Sequence, residues 1–306
     1  YGQLDSDIAE KLTLTTGLRV ENWKSKFNDS DSINIDTKEV LVGGKIGLNY
    51  QKNENNLYYA TLSKGYKPGG VNAENRIPSS EREFNTEHLW NLDIGQNFSN
   101  FNNKLKSRVN FFYGLRRDQQ ISTSYQVRQA SPLTGSDYPE YIANAAKSSY
   151  YGVEVQTDYY ADNTLHLFAS LGLIRSKFDK YENPDVDAYD PEGRTPAQSP
   201  KYQYNVGFDY MLTNDIQFKT DVEGKDSYYF SNGHHKKSKA YALLNTSISY
   251  VARDWTVTLW GKNLTDKSYQ TKGYYFENNP ATGYAKEFFT QQGNPRTFGF
   301  TAKYFF

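Results

Sequence analysis

The feature that most constrains this chain is a two-residue alternation that recurs from one end to the other. Leu12, Leu14, Thr16, Leu18 and Val20 alternate with Thr13, Thr15, Gly17 and Arg19. Val40, Val42, Gly44, Ile46, Leu48 and Tyr50 stand against Gly43, Lys45, Gly47 and Asn49, and Leu105, Val109, Phe111 and Tyr113 stand against Lys106, Arg108 and Asn110. At the far end Phe298, Phe300, Ala302, Tyr304 and Phe306 face away from Thr297, Gly299, Thr301 and Lys303. Strand side chains point to opposite faces in turn, so this spacing sorts an apolar face from a polar one, whereas a helix would mix them. About a dozen such segments can be read and no amphipathic helix, which predicts an all-β antiparallel fold.

The polar faces are too charged for a dry core, where each ionised group would need a partner. A water-filled interior suits them better. No apolar run approaches the length of about 18 residues that a membrane helix needs, but a membrane barrel shows lipid only every second residue. The connections support a barrel: tight turns such as Asp162-Asn163, Thr213-Asn214-Asp215 and Arg253-Asp254 alternate with long polar excursions at residues 67 to 85, 118 to 145, 180 to 198 and 267 to 294. Short turns at one end and long loops at the other are the outer-membrane pattern. With 27 Tyr, 18 Phe and 4 Trp there are rings for girdles at both interfaces, and Trp23, Tyr50, Tyr66, Trp90, Tyr159, Tyr160, Tyr210, Tyr250 and Trp255 are the expected members. On periodicity alone, an ordinary soluble β core containing these rings stays open.

Other chemistries find little footing. Lys plus Arg and Asp plus Glu both number 35, leaving no global field for nucleic acid, and there is no Cys for a disulfide, thiolate site or nucleophile. His88, His166, His234 and His235 show no metal-ligand spacing, and Gly65 to Gly70 lacks the phosphate-loop pattern. His166 reads as a lumen-facing polar residue, and Asp185 and Asp187 as solvated loop carboxylates. Neither a catalytic residue, a metal site nor a cofactor is expected.

Four stretches resemble the β-barrel of TonB-dependent outer-membrane receptors. They are Tyr58 to Asn72 with its Lys67-Pro68-Gly69-Gly70-Val71-Asn72 end, Asn144-Ala145-Ala146-Lys147 followed by Tyr151-Gly152-Val153-Glu154-Val155, Asn263-Leu264-Thr265-Asp266-Lys267-Ser268-Tyr269, and Gly293-Asn294-Pro295-Arg296-Thr297-Phe298-Gly299 with the terminal Phe306. Each is weak alone, but together they occur in the family's order. Gly65 to Asn72 and the long final loop look most like ferric-siderophore receptors of the yersiniabactin (pesticin) kind. The resemblance implies a receptor for a ferric siderophore or similar iron chelate in the outer membrane of a Gram-negative bacterium, energised by TonB-ExbB-ExbD through a plug domain.

Neither plug nor TonB box fits into residues 1 to 10, and the family's 22 strands exceed the dozen read here. The expectation is therefore that residues 1 to 306 are the C-terminal portion of such a barrel, Tyr1 to Asp5 closing an earlier strand. A complete 12-stranded barrel stays open as the alternative. A large chelate needs rings for its flat parts and cations for its anionic oxygens. Tyr66, Lys67, Arg76, Tyr125, Arg128, Tyr228, Tyr229, His234, His235, Tyr274, Tyr275 and Tyr284, all in long-loop regions, are the ligand-binding candidates. Phe300, Tyr304 and Phe306 resemble a C-terminal signal for the outer-membrane assembly machinery. A passive porin and a phospholipase-like barrel enzyme are the alternatives, and haem, cobalamin or a glycan could replace the siderophore.

Overall fold

The computed structural model describes residues 1–30, 34–124, 127–128, 137–182 and 189–306. Its main body is one antiparallel sheet of 13 strands. In chain order these begin with β1 (Gly2–Ala9), β2 (Leu12–Asn28), β3 (Asn34–Asn53) and β4 (Asn56–Lys67). Two short strands follow, β5 (Gly70–Val71) and β6 (Glu83–Phe84), which pair only with each other. The wall resumes with β7 (Glu87–Asn100), β8 (Leu105–Ser124), β9 (Glu140–Tyr160), β10 (Leu165–Tyr181), β11 (Tyr202–Met211), β12 (Ile216–Lys225), β13 (Tyr241–Val251) and β14 (Trp255–Lys262). A separate hairpin, β15 (Gln270–Glu277) and β16 (Lys286–Gln292), precedes the last wall strand, β17 (Thr297–Tyr304). Twelve wall strands from β2 onward match the dozen read from the sequence, and β1 extends past the expected Asp5 to Ala9.

Register turns the alternation of single strands into two continuous faces. Leu14 pairs with Leu48, Leu48 with Ala60, Ala60 with Ile94, Ile94 with Phe111, Phe111 with Val153 and Val153 with Leu173. Farther on, Phe218 pairs with Ile248, Ile248 with Leu259 and Leu259 with Phe300. A slip of one residue anywhere would carry a strand's apolar set to the other face, so these rows fix the register. Many of these side chains are exposed, Ile46 by 52% and Phe300 by 72%. An apolar surface of that extent requires a non-aqueous partner.

The opposite face is polar and internally bonded. The Tyr59 hydroxyl donates to Asn110 at 3.1 Å, the Asn110 amide donates to Asp93 at 3.1 Å, and the Tyr150 hydroxyl donates to Asn91 at 3.1 Å. Glycines make room for the rings: a Cβ on Gly95 would lie 2.4 Å from the Tyr59 ring, and one on Gly114 2.1 Å from that of Tyr150. His166 lies on this polar face, between Asp158 at 2.9 Å and Asp209 at 3.1 Å.

Tyr50, Tyr210, Tyr250 and Trp255 lie exposed on the apolar face near the short turns, and Trp90 lies on that face toward the other rim. Three other expected girdle members do not face lipid. Tyr160 stacks on His166 at 4.4 Å on the polar side, Tyr66 donates to Glu21 at 2.9 Å, and Trp23 lies half-buried facing a polar cleft beside Glu39 and Thr86. A ring at a strand end takes its face from register, which proximity to the end does not reveal.

Candidate functional site

The long connections converge at one end of the wall. Between β10 and β11, Gly193 adopts φ 73°, a left-handed turn open to glycine, and turns the chain so that Arg194 reaches the loop joining β12 to β13. The Arg194 guanidinium donates to the backbone carbonyls of His234 at 2.8 Å, Ser231 at 3.0 Å and Asn232 at 3.2 Å. It also stacks over Tyr229 at 4.0 Å and Tyr189 at 5.0 Å. Planar delocalised charge and a fork of donors suit this double task, and a lysine ammonium would serve only part of it.

The β15–β16 hairpin rests on the same loop. The buried Tyr228 hydroxyl donates to the carbonyls of Gln270 at 3.3 Å and Thr271 at 3.2 Å, and Phe230 occupies the space a side chain on Gly273 would need. His234 meets Tyr275 at 6.1 Å and Phe288 at 6.5 Å, with the Lys236 ammonium over the same two rings at 4.9 and 5.6 Å. Lys237 lies over Tyr229 at 4.1 Å. Burial, reinforced by the Arg194 charge, pushes the His234 imidazole below its ordinary value, and burial pushes the Tyr228 phenol up. His234 is thus neutral at neutral pH, and its Nδ1 accepts from the Lys236 amide at 3.2 Å, so the ring proton sits on Nε2.

A cavity of about 990 Å³ opens above these contacts, lined among others by Tyr138, Tyr181, Tyr189, His234, His235 and Tyr275. The rings supply flat apolar contact, and Lys286 and Glu140 supply charge at the wall. Such a space takes a bulky ring-bearing ligand with polar atoms at its edges.

Of the expected site residues, His234, His235 and Tyr275 line this cavity, while Tyr228 and Tyr229 pack behind them. Tyr274 lies across the hairpin on the other face, opposite Phe289, and Tyr284 forms a turn at φ 60°. Arg76 is engaged elsewhere, bonded to Glu74 at 2.8 Å and Asp137 at 3.0 Å, which holds the Glu74 carboxyl down at about 2. The Arg128 carbonyl accepts from the Asp137 amide at 3.0 Å. Lys67 is exposed at the end of β4, and its carbonyl accepts from Gln120 at 3.3 Å. Tyr125 lies outside the described residues.

The Lys67 to Asn72 stretch serves as a clamp. The Asn72 side chain accepts from the Ile142 amide at 2.9 Å and donates to the Ile142 carbonyl at 2.8 Å and that of Glu81 at 2.6 Å, imitating one rung of a strand beside β9. Gln120 ties the same loop down through the carbonyls of Pro68 at 2.8 Å and Asn85 at 3.1 Å. Sequence reasoning missed Arg194, Tyr189, Lys236 and Phe288. The Gly193-Arg194 pair after a Pro-rich stretch was the one available signal.

Compared with known families, residues 1–264 match the one described as TonB dependent receptor-like, beta-barrel. Among solved structures, the ferric yersiniabactin uptake receptor FyuA from Yersinia pestis aligns with a TM-score of 0.76 at 19% identity, covering 99% of this chain and 44% of that one. The siderophore receptor PiuA from Acinetobacter baumannii aligns at 0.74 with 18% identity, covering 99% and 42%. The copper transporter OprC aligns at 0.74 with 15% identity, covering 99% and 47%. The chain therefore spans less than half the length of each. At these identities the likeness shows the fold alone, and the names span siderophore receptors and a copper transporter.

Proposed function

Because this chain belongs to the TonB-dependent receptor β-barrel family, we propose that it forms part of the wall and the ligand-binding mouth of an outer-membrane receptor for a ferric siderophore or similar iron chelate. The observation that carries this is the cavity at the long-loop end, where aromatic rings converge beside the Lys286 ammonium. Aromatic rings hold the flat parts of such a chelate, and the ammonium meets its phenolate or carboxylate oxygens. Arg194 acts as a positioning residue, fixing the loop that carries His234.

Thirteen antiparallel strands set β1 and β17 running the same way. They could pair with each other only in parallel, so an odd number of further strands is needed to close an antiparallel wall. The 22 strands of plugged transporters would satisfy that requirement. In this reading the remaining strands, and the plug on which TonB-ExbB-ExbD acts, belong to the same receptor, and Phe300, Tyr304 and Phe306 address it to the outer-membrane assembly machinery. The polar face lines the lumen through which the chelate passes once the plug is remodelled.

The test is uptake of radioactive ferric chelates by a receptor-deleted Gram-negative strain expressing the full-length gene product. Uptake should vanish without TonB, and Arg194→Ala and Tyr229→Ala should lower it with the amount of surface receptor unchanged. Uptake indifferent to TonB would instead favour a passive pore.

A further inference from the structure

The wall has a notch beside β3 at its long-loop end. β3 pairs with β2 from Tyr50 all the way to Asn34, but with β4 only as far as Gly44, opposite Lys64. Past that point β4 leaves β3, and after Lys67 the chain enters the 68 to 86 loop before returning as β7. Residues 35–42 of β3, about 26 Å of strand, therefore have a neighbouring strand on one edge only. Among the described residues, no backbone bond joins them to the loop. Both strands that flank β3 belong to this chain, so further wall strands do not cover this edge.

The loop is held back from the edge. Asn72 and Gln120 tie it to β9 and β8, and the Asn144 amide donates to the Asn85 carbonyl at 2.9 Å. A side-chain bond crosses to β3, from the Thr86 hydroxyl to Glu39. Between the two sides lies a cleft of about 620 Å³, with residues 36–39 of β3 and Trp23 on one wall and residues 83–86 of the loop on the other. Its charges are unbalanced: Asp36, Glu39, Glu83 and Asp118 stand against Lys38. Asp36 is matched by Lys26 at 3.5 Å, but Glu39, Glu83 and Asp118 make no ion pair among the described residues. The Trp23 indole nitrogen, the Thr37 hydroxyl and His88 Nδ1 are buried in the walls with no hydrogen-bond partner among the described residues. Buried polar atoms are nearly always paired, so three orphans around one cleft mark a structure that lacks a component.

We propose that the free edge of β3 takes up an extended cationic peptide segment of an extracellular partner, which adds to the sheet as one more strand. An open strand edge offers donors and acceptors at ladder spacing, and the alternate side chains of the added strand set the choice of partner. Its inward side chains face Glu39 and Glu83 beside the Trp23 ring, where lysine or arginine finds both carboxylate and aromatic surface. Its outward side chains lie beside Lys38 and Val40, the latter exposed by 65%, where an apolar residue fits and a further cation is repelled. A second copy of this chain fits poorly. Upright in the same membrane it brings up the same carboxylates, and its β3 can run only parallel to this one. The cleft shares no residue with the ligand cavity, so the proposal is independent of the cargo.

The test titrates full-length receptor, purified in detergent, into a dye-labelled seven-residue peptide of alternating lysine and valine, followed by fluorescence anisotropy. The peptide should bind saturably. Methylating every backbone amide of the peptide, which keeps its charge and removes its donors, should weaken binding about tenfold or more. Glutamate in place of its lysines, or Glu39→Gln with Glu83→Gln in the receptor, should each weaken binding by a similar factor. Asp254→Asn, in the short turn before β14, should change nothing. Equal binding by the methylated peptide would overturn strand addition in favour of loose charge attraction. Equal binding by the glutamate peptide, or no binding by the lysine peptide, would overturn the proposal outright. A receptor dimer that dissociates in the Glu39→Gln, Glu83→Gln variant would overturn it in favour of a second copy. The comparison of the three peptides uses the unaltered protein, so the proposal stays testable even if a variant folds poorly.

Discussion

Placing an arginine at Ile46 probes the wall where it is least forgiving. Ile46 lies four residues from Tyr50 along β3, about 13 Å along the strand. At a tilt of about 40° that is about 10 Å below the interface, close to the midplane of an apolar band about 25 Å tall. Its register partners on the same face are Thr16 and Leu62, and neither offers a carboxylate. Ile46→Arg should therefore cost about 2 to 4 kcal/mol, a factor of about 30 to 1,000 in the folding equilibrium. Val40→Arg, at the edge of the band, should cost about 0 to 1 kcal/mol. Thr15→Arg should stay within about 0.5 kcal/mol, because Thr15 faces the polar side and already donates to Asp5 at 2.6 Å. Urea titrations of the full-length receptor refolded into phospholipid vesicles, followed by tryptophan fluorescence, read all three. Equal costs at Ile46 and Thr15 would show that the two faces do not divide lipid from water.

Three further outcomes follow from the geometry. Asn72→Ala removes the rung beside β9 and leaves the Ile142 amide unpaired, so it should cost about 1 to 3 kcal/mol and speed hydrogen exchange at Ile142; unchanged exchange there would refute the clamp. The Glu74 carboxyl is held at about 2 by Arg76, so the pair's contribution is full above the ordinary carboxylate range and is lost only as pH falls toward about 2. Carbon-13 titration should show Glu74 ionised at pH of about 3, and Arg76→Gln should return it to the ordinary range. Phe306 lies beyond the end of β17 with its ring edge-on to Tyr304 at 5.1 Å. Deleting it should lower the receptor inserted in cells while purified protein still refolds, and wild-type surface abundance would remove the assembly role.

The wall was legible because its physics is local. A strand such as β3 or β10 declares both faces in its own alternation, and the rhythm of short turns and long loops orders the strands without any long-range information. Tyr160 shows where this stops: its position near a turn suggested lipid, but register sends it to His166 on the wet face. His234, His235 and Tyr275 could be picked out as rings in long loops, but Arg194 could not. Its role depends on three carbonyls about 40 residues away, and loop-to-loop packing leaves no period in the sequence. Asn72 was noticed for its motif, yet its action as a substitute strand rung appears only once β9 is beside it.

The claim that ligand is taken at the long-loop end can be measured directly, because residues 1–306 have no Cys and, once any Cys elsewhere in the receptor is replaced, an introduced one is unique. His235→Cys places a fluorophore at the cavity wall, and Asn163→Cys places one at the short-turn rim between β9 and β10. Titrating full-length receptor with ferric aromatic chelates should quench the label at position 235 saturably and leave that at position 163 unchanged, because ferric iron quenches only nearby dyes. Equal quenching at both positions, or saturable quenching at position 163 alone, would contradict a binding site built from the Arg194-clamped loops.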